Sequence, residues 1–68
     1  MAVRAELSSL ASSLTELTRR VTALAEHARS AGDAETANEL FTVERALNGA
    51  LRRLERAAGE RPAPRGRP

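Results

Sequence analysis

Ser30-Ala31-Gly32-Asp33 breaks a 68-residue chain near its middle. Before it, apolar residues recur at spacings of three and four from Val3 to Ala31, and a second such run extends from Ala37 to Ala58. Both runs have the period of an amphipathic helix. Gly32 can take the left-handed conformation that ends a helix, and Asp33 is a strong N-cap for the next. A stop followed at once by a start folds the chain back as an αα-hairpin. The expected fold is all-α: helix 3–31, turn 32–33, helix 34–58.

Working back from the turn, Leu7, Leu14, Val21 and Ala28 alternate with Val3, Leu10, Leu17, Leu24 and Ala31 in a 4-3-4-3 pattern. Labelled as a heptad, the first set takes a and the second takes d, and such a seam suits two helices crossing at a shallow angle. Small residues near Gly32 let the helices converge where the connection is shortest. The remainder of this helix is rich in Ser and Thr, poor helix formers whose hydroxyls compete for backbone groups. Its helicity therefore depends on packing, with the Ser/Thr face turned outward. Glu16 with Arg20 and Glu26 with Arg29 have the spacing of surface ion pairs.

Working forward, Leu40, Leu47, Leu51, Leu54 and Ala58 lie close to one line of the second helix. Val43, Ala50 and Ala57 widen that stripe on one side, and Ala37 and Phe41 widen it on the other. Glu44 and Asn48 sit on the Phe41 shoulder, where either a polar border or a register-fixing buried contact would place them. Gly49 is the one local conflict, since Gly costs about 1 kcal/mol relative to Ala inside a helix. A stripe this broad touches more than one neighbour. The expected assembly is a homodimer, two hairpins forming a four-helix bundle, with Leu40, Phe41, Val43, Leu47, Leu51 and Leu54 at the dimer or partner interface. Phe41, the only aromatic, is the expected anchor.

Size makes the same demand. A domain shorter than about 70–80 residues seldom draws more than ~3–5 kcal/mol from its own core. The chain has no Cys, so neither disulfides nor thiolate–metal sites can staple it.

After Ala58 the composition changes. Gly59 is a natural stop, and residues 60–68 contain three Pro and no large apolar side chain, the composition of a disordered or polyproline-like tail. Charge divides along the chain as well. Residues 1–44 carry four Arg against six Glu and one Asp, −3 in all, whereas residues 45–68 carry seven Arg against two Glu, +5 in all. Arg45, Arg52, Arg53 and Arg56 cluster on the outer face of the second helix, and Arg61, Arg65 and Arg67 continue the charge into the tail. Arg is the preferred residue for phosphate forks and acidic protein surfaces, so these seven are candidate contacts to either. The absence of Tyr and Trp leaves no base-stacking platform.

Catalytic equipment is lacking. His27 is the only histidine, and Glu26 beside it points about 100° away on a helix, so the two cannot share a metal. No Ser has a local base to activate it, and no Gly-rich phosphate loop is present. Neither a catalytic residue, a metal site nor a cofactor is expected. No apolar run reaches the ~20 residues that span a bilayer, and no targeting segment is visible, so a cytoplasmic location is expected. All basic residues are Arg and Ala is abundant, a composition suggestive of a GC-rich bacterial genome.

Val21, Leu24, Ala25 and Ala28 before Gly32-Asp33, with Ala37 and Phe41 after it, have a spacing that resembles one tetratricopeptide-type helical hairpin. The resemblance covers about a third of the chain and bears on turn geometry alone, because Glu44 stands where that repeat carries Ala and no second copy follows. The function expected from the residues is that of a non-enzymatic, self-associating helical module for protein–protein interaction or regulation. The alternative is a nucleic-acid-associated protein using the Arg face and basic tail.

Overall fold

The computed structural model describes residues 3–59. Two helices, α1 (Val3–Ser30) and α2 (Ala34–Ala57), pack side by side as an antiparallel hairpin, and no strand occurs among the described residues. The expected disordered tail, 60–68, lies outside them.

The turn is built almost entirely from backbone. Gly32 has φ +85°, its N–H donates to the Arg29 carbonyl at 3.1 Å, and the Asp33 N–H reaches the Ala28 carbonyl at 2.9 Å. These are the paired 5→2 and 6→1 bonds of a Schellman cap, with Gly32 as its left-handed residue. Asp33 then starts α2: its side chain accepts the Thr36 N–H at 3.2 Å and its carbonyl accepts the Ala37 N–H at 3.0 Å. One residue thus closes the first helix and opens the second. That economy is why α1 ends at Ser30, with Ala31 already in the turn. The far end repeats the device, with Gly59 at φ +85° and its N–H bonded to the Arg56 carbonyl. The Arg4 guanidinium lies 3.2 Å from where a Cβ on Gly59 would stand, so the start of α1 meets the end of α2. A cation there faces the negative end of the α2 dipole.

Packing phase is where the structure departs from the heptad reading. The line of α1 that faces α2 is Ala11, Thr18 and Ala25, all buried, with Leu7, Leu14, Val21 and Ala28 half-buried beside it. The residues placed at d point away: Val3, Leu10, Leu17 and Leu24 are 60%, 50%, 47% and 58% exposed. The hairpin therefore uses one row of the predicted seam and leaves the other in water. The physical reason is closeness. A short turn draws the helix axes together, and they approach best where side chains are smallest, so Ala11 and Ala25 take the centre and the leucines are rotated outward.

On α2 the facing line is Ala37, Glu44, Leu51 and Ala58, one row closer to Phe41 than the line through Leu40. Among the described residues nothing larger than threonine is buried. Thr18 is tolerated because its hydroxyl donates to the Leu14 carbonyl at 2.7 Å. Thr15, Thr22 and Thr42 make the same bond one turn back. This satisfies the hydroxyls whose competition with the backbone weakens isolated helices. Helix α2 runs unbroken through Gly49, around which an added Cβ would meet nothing within 4 Å.

Candidate functional site

The exposed leucine row is the starting point. Val3, Leu10, Leu17 and Leu24 recur every seven residues, so they form one ridge along α1, tilting only slightly around the axis. Val43, 39% exposed, is the one large apolar residue of α2 left in solvent. The two features belong to one surface. In an antiparallel pair, rows that precede the packing line on each helix emerge on the same face of the hairpin. On α1 those rows are the half-buried Leu7-Leu14-Val21 and the exposed Leu ridge. On α2 they are the half-buried Leu40-Leu47-Leu54 and the exposed Val43-Ala50-Ala57. One face of the hairpin is consequently apolar from edge to edge.

The opposite face is polar but for Phe41. It carries Ser8, Thr15 and Thr22 from α1, and Phe41, Asn48 and Glu55 from α2. Phe41 is half-buried there while Val43 on the apolar face is 39% exposed, so of the two shoulders Val43 is the more open to solvent. The one-row shift of the α2 packing line explains this, since it brings α1 over the Phe41 side. Of the other expected interface residues, Leu40, Leu47, Leu51 and Leu54 are all half-buried. Glu44 sits half-buried on the line facing α1 and forms no ion pair among the described residues.

Compared with known proteins, this chain matches no family model, no curated protein and no solved structure. The reading of the surface rests on its own chemistry.

Arg45, Arg52, Arg53 and Arg56 are exposed on the side of α2 turned away from α1, while Arg61, Arg65 and Arg67 lie outside the described residues. The ion pair of the described residues is on α1, where Arg19 donates Nη2–H to Glu16 Oε2 at 2.6 Å and Nε–H to Oε1 at 3.3 Å. Glu16 thus takes Arg19 at i+3 in a two-pronged fork, in place of the expected Arg20, and Glu26 and Arg29 do not pair. The hydrogen bond from Arg19, and then its charge, hold the Glu16 carboxyl below its ordinary value and raise the guanidinium in return. Among the described residues no three of His, Cys, Asp and Glu come together as a metal-binding group, and no helix is long and apolar enough to cross a membrane.

Sequence reasoning missed Val3, Leu10, Leu17 and Leu24 as surface residues because it assigned them to the seam. A signal was present. Ala11, Thr18 and Ala25 extend the a/d pattern by one further row, which makes the small-and-apolar arc of α1 wider than a single partner helix can cover.

Proposed function

We propose that this protein is a non-enzymatic helical interaction module that works as a self-associated unit, two hairpins joined through their apolar faces into a four-helix bundle. One observation carries the reading: among the described residues every large apolar side chain remains at least partly open to water, and a row of them is about half exposed. Burying a Leu or Val fully contributes roughly 1.5–3 kcal/mol, which a chain this small cannot forgo repeatedly. The size of the face supports the same reading. A 28-residue helix is about 42 Å long and a pair of helices about 20 Å across, so the face offers on the order of 800 Å². That is the area each partner contributes to a stable protein interface. Contiguous apolar faces left in water are characteristic of association sites.

Self-association links stability to concentration. The melting temperature followed by circular dichroism should rise steadily as protein concentration increases from about 1 to about 100 μM. A melt independent of concentration, from a helical species of monomer mass, would reject the proposal.

A further inference from the structure

The outer side of α2 carries a feature that the apolar face does not use. Gly49 lies inside a continuous helix, where glycine is disfavoured relative to alanine. Nothing in the hairpin calls for it. Its φ is not positive, and apart from its chain neighbours and its own helix backbone no atom of the described residues comes within 4 Å of where its Cβ would stand.

What surrounds Gly49 is arginine. Arg45, Arg52, Arg53 and Arg56 stand at i−4, i+3, i+4 and i+7 from it, the positions that border one spot on a helix surface. All four are exposed, and none forms an ion pair among the described residues. Helical side chains lean toward the N-terminus, so Arg52, Arg53 and Arg56 lean back toward Gly49, and Arg45 bounds it on the other side. The carboxylates of this stretch, Glu44 and Glu55, belong to the line facing α1 and the row beside it, and are half-buried. The spot is thus four guanidiniums around a bare backbone floor, with no acid between them.

We propose that this spot binds the phosphate backbone of a nucleic-acid duplex, with Gly49 as the floor on which the duplex seats. It is a second surface, independent of the self-association proposed above. Guanidinium forks match phosphate oxygens, and glycine is the residue that lets a rigid, bulky backbone come close. A flexible acidic peptide could reach the same arginines without that floor. From Arg45 to Arg56 the row is about 16 Å long. A duplex presents one phosphate per about 1.7 Å of its axis, so the row meets several, whereas a lone phosphoryl group would leave most of it idle. Single strands are held largely by stacking, and Phe41, the only aromatic, is half-buried. The apolar row Val43-Ala50-Ala57 begins about 100° round the helix from Gly49, so it would not enter a bilayer that the arginines met. Contacts of this kind position the duplex without reading its sequence.

The test is fluorescence anisotropy of the full chain with a labelled duplex of about 20 base pairs, from about 50 to about 200 mM salt. Affinity should fall on the order of a hundredfold across that range, as about four neutralised phosphates require. Arg52→Gln and Arg53→Gln should each lower the salt slope by about one, whereas Arg29→Gln, at the turn end of α1, removes the same charge and should leave the slope unchanged. Gly49→Gln fills the floor without changing charge, and should weaken binding about tenfold while helicity is kept or raised. The same-sequence single strand, phosphatidylserine vesicles and polyglutamate should each bind more weakly than the duplex. No duplex binding at about 50 mM salt would overturn the proposal. So would equal slopes for Arg29→Gln and the α2 variants, unchanged affinity in Gly49→Gln, or a preference for any of the three other probes. None of these results depends on whether the hairpins pair, which sedimentation reads separately.

Discussion

Replacing Leu17 by Ala probes the face without touching the hairpin's close-packed line. Leu17 is 47% exposed in the hairpin, so about half of its side chain is open to burial in the proposed dimer. The substitution removes three carbon groups, worth ~0.8 kcal/mol each when fully buried, of which about half, ~1.2 kcal/mol, is realised only on association. The proposed dimer would contain the residue twice, giving ~2.4 kcal/mol in all, or roughly a fifty-fold weaker dissociation constant. Any cavity left in the interface adds to this. Sedimentation equilibrium on the wild type and the variant over a range of loading concentrations measures the ratio. Thr42→Ala, exposed on α2 and away from the face, is the control and should leave association unchanged. An equal affinity for wild type and Leu17→Ala would show that the exposed ridge takes no part in association, whatever the oligomeric state.

Gly32→Ala should cost on the order of 1 kcal/mol in denaturant unfolding. Nothing lies within 4 Å of the added Cβ, so the whole penalty is the left-handed backbone, and Gly32→Asn should cost less. Asp33→Ala removes the cap on the Thr36 N–H and should cost about 1 kcal/mol, with Asp33→Ser recovering most of it in the same assay. Gly49→Ala should stabilise by up to ~1 kcal/mol, because the helix is continuous and the space beside Gly49 is open; a loss would reveal a neighbour at that position. The Glu16 carboxyl is lowered in the folded state, so its pairing with Arg19 favours folding above the ordinary carboxylate range and ceases to do so as pH falls through the lowered value. Glu16→Gln should flatten that acid limb of the melting profile at low ionic strength, and molar salt should erase the difference because both side chains are more than half exposed.

The architecture was legible because its signals are local. A glycine that must be left-handed and an aspartate that caps within three residues need no knowledge of the rest of the molecule, and both stand in the structure as the spacing requires. The rotational phase of the helices was not legible in the same way. A heptad reading gives the seam to the largest side chains, which would bury Leu10 and Leu17. The close approach imposed by the short turn favours the smallest ones instead, and Ala11, Thr18 and Ala25 displaced the leucines by one row. The same rotation on α2 leaves Phe41 half-buried and Val43 the more exposed of the two shoulders. Glu44, expected either at a polar border or in a register-fixing buried contact, came to the facing line for that reason, half-buried and still reached by solvent. Each difference follows from one quantity, the distance between helix axes, which periodicity does not encode.

The central claim is that the folded unit is a pair of hairpins. Sedimentation equilibrium of the full chain at about ten micromolar and moderate salt tests it most directly, since affinities of micromolar or better correspond to at least ~8 kcal/mol of association free energy. The account predicts a mass twice that of the chain, with helical circular dichroism and dissociation on dilution that is promoted by Leu17→Ala. A helical species of single-chain mass across the whole concentration range would contradict it.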